Sequence, residues 1–204
     1  MKIRLSQAGK RFNREWIFRK ADFQFNSSSS YAITGPNGSG KSTMLQCIGG
    51  MIQLSEGSIG FDNEFPIASE EIYREISFCA PYSELIEEMT LHEFLEFHRH
   101  FKPFLDGMDV KKIVEEIGLA TSINKQIRYY SSGMKQRVKL AQAIFFQTSI
   151  ILLDEPCSNL DSMGIELYHS LIKRFCANRL VIVCSNDPVE YGFCKEIIGM
   201  ASWK

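Results

Sequence analysis

The sequence has no long hydrophobic run and almost no net charge. No apolar stretch approaches the roughly 20 residues that a membrane-spanning helix needs. The opening residues, MKIRLSQAGK, lack the apolar segment of a secretory signal. The formal charge of −1 creates no field that would attract nucleic acid. We therefore expect a soluble chain that does not bind nucleic acid and that could serve a membrane only through another chain.

Closely spaced cysteine pairs are also missing. The six cysteines are scattered, mostly within apolar segments, and none has the CxxC spacing of a zinc or redox site. We therefore predict buried, reduced thiols, as in a cytosolic protein. Hydrophobic residues make up 45% of the 204 residues, which is enough for one globular domain with its own core.

Apolar strands and helical patterns alternate along most of the chain. Residues 1–30 alternate weakly and predict short antiparallel strands. Buried strands are predicted at residues 31–34, 76–79, 150–153 and 180–184, and helical patterns at 41–49, 84–128 and 133–146. The alternation predicts an α/β fold with a mostly parallel sheet. We predict a single domain, residues 1–204, with a core of about 1–81 and 147–204 and an inserted helical part at about 82–146.

Residues 35–42, GPNGSGKS, match the pattern G-x-x-x-x-G-K-[ST] between a predicted strand and a predicted helix. Glycines let the backbone N–H groups turn toward phosphates, and the helix N-terminus adds partial positive charge. We predict that Lys41 binds the β- and γ-phosphates and that the Ser42 hydroxyl binds Mg²⁺. The predicted phosphate-binding residues are Asn37, Gly38, Ser39, Gly40, Lys41, Ser42 and Thr43.

The apolar run at 150–153 ends in two acids, Asp154 and Glu155. A parallel strand delivers such acids to the carboxyl edge of the sheet, where the phosphate loop also lies in folds of this kind. We predict that Asp154 holds Mg²⁺, through water, and that Glu155 polarises the attacking water.

These segments resemble those of the ABC ATPase family. Residues 130–137, YSSGMKQR, are similar to the LSGGQ signature of that family, and residues 158–161, SNLD, are similar to its D-loop. The four motifs stand in the family's order and cover about residues 30–190. The resemblance implies a P-loop NTPase core with an N-terminal antiparallel β subdomain and an inserted α-helical signature subdomain. It also implies ATP and Mg²⁺ as ligands.

In the ABC family, the signature caps the γ-phosphate that is held by the partner's phosphate loop. The resemblance assigns Ser131, Ser132 and Gly133 to this second phosphate cradle and Asp161 to the interface. It implies a dimer with another ABC ATPase chain, identical or different. An aromatic side chain stacks on adenine in the family, and Phe12 holds the matching position, with Trp16 as the alternative.

The sequence departs from the family at two polar positions. Pro81 stands where the family has a glutamine that contacts the metal and the attacking water. Tyr82, Ser83 and Glu84 are the neighbours that could compensate. Asn186 stands where the family has a histidine at the γ-phosphate, and an amide carries no positive charge. We therefore predict slow hydrolysis, with Glu155, Lys41 and Asn186 as the catalytic set.

The resemblance predicts an ATP-binding and hydrolysing subunit of an ABC transporter, cytoplasmic and held at the inner face of the membrane by a transmembrane permease. The permease is expected to dock near residues 81–89 and on an aromatic helix at 91–104, whose phenylalanines cannot all face the core. Three alternatives remain. They are an ATP-gated or degenerate-site subunit without hydrolysis, a soluble ABC protein outside transport, and a small-molecule P-loop kinase, which the signature opposes.

Overall fold

The computed structural model describes residues 1–62 and 69–203. Strands and helices alternate over most of these ranges. The strands are β1 (Lys2–Phe12), β2 (Glu15–Phe25), β3 (Ser30–Thr34), β4 (Glu56–Asp62), β5 (Ile76–Cys79), β6 (Ile150–Asp154), β7 (Leu180–Cys184) and β8 (Glu196–Gly199). The helices are α1 (Lys41–Ile48), α2 (Leu91–Arg99), α3 (Val110–Glu116), α4 (Ser132–Ile144), α5 (Ser162–Phe175) and α6 (Pro188–Tyr191).

The described strands form two sheets. A five-stranded sheet has the order β5-β6-β7-β3-β8 with parallel pairing between neighbours. A three-stranded antiparallel sheet has the order β2-β1-β4. Strands β6 and β7 are buried along their whole length, as expected of apolar strands covered on both faces. The predicted α/β fold, with a mostly parallel sheet and an N-terminal antiparallel part, is confirmed.

The parallel sheet separates two hydrophobic cores. One core joins a face of the sheet to helices α2 to α5, and the other joins the opposite face to α1 and the antiparallel sheet. All six cysteines are free thiols, and four of them are buried. Among the described helices, none has the length and apolar character needed to cross a bilayer. The predicted domain boundaries near residues 82 and 146 stay a prediction.

The sequence patterns misplace several elements. The region 84–128 contains only α2, α3 and short 3₁₀ turns, and the aromatic helix ends at Arg99 rather than continuing to residue 104. The expected split of its phenylalanines is confirmed, since Phe94 and Phe104 are buried whereas Phe97 and Phe101 are exposed. Strand β4 and helix α5 are absent from the predicted elements.

Candidate nucleotide-binding site

The predicted functional residues meet at the carboxyl edge of the parallel sheet. Strand β3 leads into the phosphate loop, β6 ends at Asp154, and β7 is followed by Ser185 and Asn186. Strand β5 leads into the loop that contains Pro81 and Tyr82. Because these strands are parallel, their carboxyl ends open on the same crevice. The structure therefore brings together residues from four separate parts of the sequence.

The phosphate loop depends on glycine at a point of close contact. Gly40 has a φ of 99°, and a Cβ on it would lie 2.3 Å from Cγ2 of Ile17 in β2. Any other residue would both strain the backbone and clash. The Lys41 ammonium is buried and donates to the carbonyl oxygen of Gly35 at 2.7 Å. The loop therefore holds Lys41 folded against its own backbone.

Asp154 is 1% exposed, and its two oxygens have different surroundings. Oδ2 accepts a hydrogen bond from the Tyr82 hydroxyl at 2.8 Å, whereas Oδ1 is buried without a hydrogen-bond partner among the described residues. Burial raises the pKa of the Asp154 carboxyl, although the nearby Ser42 and Tyr82 hydroxyls lower that pKa. A buried carboxylate oxygen without a partner, close to a serine hydroxyl, fits the oxygen ligands that Mg²⁺ prefers.

Glu155 is exposed and has a left-handed backbone conformation, with a φ of 42°. A non-glycine residue with positive φ is strained and needs surrounding contacts to hold it. Its N–H donates to the carbonyl oxygen of Cys184 at 2.9 Å, which ties it to the end of β7. This turn takes Glu155 out of the buried environment of its neighbour Asp154. The Glu155 side chain is exposed at the edge of the sheet where the phosphate loop lies.

Two buried side chains that sequence reasoning missed hold the segment after Glu155. The Gln136 amide on α4 donates to the carbonyl oxygen of Pro156 at 2.7 Å. The Cys157 N–H donates to Oε1 of Glu190 at 2.7 Å. Burial raises the pKa of the Glu190 carboxyl, although hydrogen bonds from Ser185 and Cys157 lower that pKa. These contacts fasten the turn that carries Glu155 to two other elements.

Asn186 contacts the phosphate loop directly. Its Oδ1 accepts from the Gly35 N–H at 3.1 Å, and its Nδ2 donates to Oδ1 of Asn37 at 3.2 Å. Pro81 offers no side-chain donor, but Tyr82 beside it reaches Asp154. Burial raises the pKa of the Tyr82 hydroxyl, and the Asp154 carboxylate adds to the rise, so Tyr82 is the hydrogen donor.

The signature residues form the N-terminus of α4. The Ser131 hydroxyl accepts from the Met134 N–H at 3.2 Å and caps the helix. A Cβ on Gly133 would lie 3.1 Å from the carbonyl oxygen of Asn159, so the signature packs against the turn that follows β6. Asp161 caps α5 and lies 3.6 Å from the Arg137 guanidinium. An open cavity of about 460 Å³ adjoins these residues.

The family comparison agrees with this arrangement. The ABC transporter family pattern matches residues 18–158, which include the phosphate loop, the signature and both acids. The chain belongs to the ABC transporter family of ATP-binding proteins. It is therefore an ABC-type ATP-binding chain, and the likeness extends beyond isolated motifs to most of the sequence.

The chain is similar to individual curated ABC transporter ATP-binding proteins. It is 30% identical over 169 residues to the uncharacterized ABC transporter ATP-binding protein YybJ of Bacillus subtilis, covering 80% of this chain and 75% of YybJ. It is 25% identical over 189 residues to the lantibiotic transport ATP-binding protein SrtF of Streptococcus pyogenes, covering 90% of this chain and 79% of SrtF. The chain spans about half the length of several other curated relatives.

The fold also matches solved ABC structures. The chain superposes with a TM-score of 0.83 and 27% identity on the dimeric ATP-binding cassette MJ0796 in a post-hydrolysis state bound to ADP and Pi. The match covers 97% of this chain and 93% of the MJ0796 chain. A putative ABC transporter ATP-binding protein of Pyrococcus furiosus has a TM-score of 0.83 over the whole of both chains, and at 18% identity it supports the fold alone.

The two candidates for adenine stacking in this ABC-type chain differ in their surroundings. The Trp16 ring lies 4.4 Å from the Arg19 guanidinium and 5.5 Å from that of Arg11, so cations already cover it. Phe12, at the end of β1, is 47% exposed, and the one cation found over its ring among the described residues is the Lys10 ammonium, at 4.9 Å from the ring centroid. An exposed ring face favours Phe12 over Trp16 as the stacking residue.

Glu190→Ala is expected to loosen the turn that follows Glu155. The substitution removes the acceptor of the Cys157 N–H, so that amide should exchange with solvent about tenfold faster, as loss of roughly one hydrogen bond implies. Glu190→Gln keeps an oxygen acceptor and is the matched control. Hydrogen exchange with mass spectrometry over residues 155–160 measures the effect, and equal exchange in both variants would contradict a holding role for Glu190.

Proposed function

We propose that this chain binds Mg-ATP at the carboxyl edge of its parallel sheet and hydrolyses it slowly, with Glu155 as the general base. One observation carries the proposal. The phosphate loop, a buried Asp154 and an exposed Glu155 lie on the same edge of one sheet, and Oδ1 of Asp154 has no hydrogen-bond partner in the part of the chain that the structure describes. A chain built only to bind nucleotide would not need a carboxylate held in a strained, exposed conformation at this point.

Each residue then has a chemical role. The Lys41 ammonium leaves its contact with Gly35 to bind the β- and γ-phosphates, and backbone N–H groups of the loop bind the remaining oxygens. Ser42 and Asp154 would hold magnesium, which neutralises charge on the phosphate oxygens when bound. Glu155 accepts a proton from water as the water oxygen attacks the γ-phosphorus, and the bond to the β–γ bridging oxygen breaks to release ADP and phosphate.

Slow turnover follows from the two replaced residues. Asn186 donates a hydrogen bond near the phosphate loop but supplies no positive charge to the transition state. Pro81 supplies no side-chain hydrogen bond. Weaker charge stabilisation at the γ-phosphate lowers the rate without affecting the phosphate loop, so we expect tight binding together with slow hydrolysis.

Dimerisation is the second part of the proposal. The N-terminus of α4 and the Ser131 hydroxyl border an open cavity of about 460 Å³. Such a helix terminus favours an anion, and a second chain's nucleotide would supply one. The dimeric form of MJ0796, a solved relative of the same fold, supports this arrangement. The second chain can be identical or different.

A membrane permease is the third part. A cavity of about 510 Å³ lies along residues 81–88, next to Lys135 and Lys139 of α4. A second cavity of about 400 Å³ contains the exposed side chains of Met51, Tyr73 and Phe101. Large exposed apolar side chains around a groove are typical of a partner site. We propose that a helical segment of a permease docks at these two cavities and holds the chain at the cytoplasmic face of the membrane.

A degenerate-site subunit is the alternative that a specific observation favours. Pro81 and Asn186 both stand at polar positions of the family pattern, so this chain could bind ATP and leave hydrolysis to a better-equipped partner. The retained Glu155 argues against a complete loss of chemistry. Phosphate release by the purified chain separates the two proposals, since a degenerate subunit would release none by itself.

The test combines binding, turnover and localisation. Titration with ATP should show binding of the purified chain, and phosphate release should be measurable but slow. Co-expression with candidate permeases should move the chain from the soluble fraction to the membrane fraction. A chain that binds no ATP would overturn the proposal, and a chain that stays soluble beside every permease encoded with it would overturn the transport part alone.

A further inference from the structure

Through its hydroxyl, Tyr82 contacts the carboxylate of Asp154, the proposed metal ligand. It follows Pro81 directly, and its hydroxyl donates to Oδ2 of Asp154 at 2.8 Å across a sequence separation of 72 residues. The pairing of Cys79 with Leu153 in β5 and β6 places the ends of these two strands side by side. The strand register thus brings the loop after β5 alongside Asp154.

The loop that carries Tyr82 is anchored to the signature helix. The Lys139 ammonium on α4 donates to the carbonyl oxygen of Ala80 at 3.3 Å and to that of Pro81. The Tyr82 ring also lies 6.4 Å from the Phe78 ring of β5, measured between centroids. A continuous series of contacts therefore runs from helix α4, through Lys139 and the loop, to Asp154.

The hydrogen bond from Tyr82 makes the two oxygens of Asp154 different. Oδ2 is engaged by Tyr82, and Oδ1 is buried and unpaired within the described part of the chain. A hydrogen bond to one oxygen fixes the orientation of a ligating carboxylate, and loss of such an outer contact lowers metal affinity. The remaining free oxygen, Oδ1, is the one available to a cation.

We propose that Tyr82 is the positioning residue that sets the affinity of Asp154 for the divalent cation, in place of the side-chain contact that Pro81 cannot make. The inference rests on the proposed Mg-ATP function. It adds that a phenolic hydroxyl links the signature helix to the metal site. Movement of α4 would then shift Tyr82 and alter the orientation of Asp154.

The test removes only the hydroxyl. Tyr82→Phe keeps the ring and its packing against Phe78. We expect the affinity for Mn²⁺, used as the probe in the presence of saturating ATP, to fall about tenfold, in line with the loss of an outer contact to a metal ligand. Electron paramagnetic resonance of free Mn²⁺ measures this directly and does not require turnover. Binding of ATP in EDTA should not change.

Two further variants sharpen the result. Tyr129→Phe removes an exposed hydroxyl in the same helical part of the chain and should leave Mn²⁺ affinity unchanged. Lys139→Met removes the donor to the carbonyl groups of the loop and should weaken Mn²⁺ binding in the same direction as Tyr82→Phe. Melting temperatures of all variants show whether a loss reflects the metal site or the fold.

The outcomes separate the inference from the function on which it rests. If Tyr82→Phe binds ATP in EDTA normally and binds Mn²⁺ as tightly as wild type, or more tightly, the positioning role is wrong and the proposed function stands. If wild type binds no ATP even without metal, both are wrong. A selective loss of Mn²⁺ affinity in Tyr82→Phe, with Tyr129→Phe unchanged, supports the inference.

Discussion

Glu155→Gln is expected to reduce ATP turnover by at least about 100-fold, the range lost when a positioned general base is removed. Glutamine has nearly the same shape, so the left-handed turn at residue 155 and its N–H bond to Cys184 should persist. The amide cannot accept a proton from the attacking water. The substitution therefore isolates the chemistry from binding.

Phosphate release and size-exclusion chromatography measure the two consequences. Wild type should turn over slowly, whereas the Glu155→Gln variant should retain ATP and elute as an ATP-stabilised dimer. Glu115→Gln, at an exposed position on α3, is the matched control and should behave as wild type. Unchanged turnover in Glu155→Gln would show that another group accepts the proton. Absence of turnover in wild type would favour the degenerate-site proposal.

Lys41→Ala is expected to weaken ATP binding by about 100-fold, since charge-assisted hydrogen bonds to the β- and γ-phosphates are lost together. In the structure the Lys41 ammonium is buried and satisfied by the carbonyl of Gly35, so it is already held within the loop. Alanine removes the charge and leaves the Gly35 carbonyl to find another donor. Lys41→Ala should therefore lower the affinity for ATP itself, whatever its effect on catalysis.

Isothermal titration with ATP in EDTA measures the effect of Lys41→Ala without interference from metal or turnover. Lys125→Ala removes an exposed lysine elsewhere in the chain and should bind as wild type. Thermal melting of the ligand-free variants shows whether the loop still folds. Wild-type affinity in Lys41→Ala would place the nucleotide outside the phosphate loop and contradict the whole site.

The phosphate loop and the two acids could be predicted because each is a continuous segment whose chemistry depends on adjacent residues. The strand before Gly35 and the helix after Gly40 are likewise visible in local pattern. Asn186 could be placed by its distance from strand β7. In each case a short stretch of sequence contains both the structural signal and the chemical group.

The sequence could name Tyr82 only as one of three neighbours that could compensate for Pro81, and it gave no role to Glu190. The partners of both side chains could not be predicted because they lie in distant segments. Tyr82 meets Asp154 only through the register of β5 on β6, and Glu190 meets Cys157 across 33 residues. Nothing in the sequence near residue 82 indicates which buried acid its hydroxyl will find. Contacts of this kind require the packed sheet, and a single sequence does not determine them.

The missed elements have different causes. Strand β4 has only a short alternation, Ile59 and Phe61, and it becomes a strand by pairing with β1. Helix α5 did contain a signal, because Tyr168, Leu171 and Ile172 have helical spacing after the capping Asp161. The helix begins directly after the D-loop motif at residues 158–161, and its periodicity alone is sufficient to predict it.

The close approach of Gly133 to the Asn159 carbonyl, which leaves little room for a side chain, has a kinetic consequence. Asn159 follows Pro156 closely in the sequence, with only Cys157 and Ser158 between them, and Gln136 ties the turn at Glu155 and Pro156 to the same helix. In a dimer of the proposed kind, the signature of one subunit contacts the nucleotide that is held by the phosphate loop of its partner. Binding of that nucleotide would therefore displace Glu155 of the first subunit, the base that acts on the first subunit's own nucleotide. The two sites would therefore not hydrolyse ATP independently. The hydrolysis rate of the dimer should depend on ATP concentration in a sigmoidal manner, with a Hill coefficient above 1.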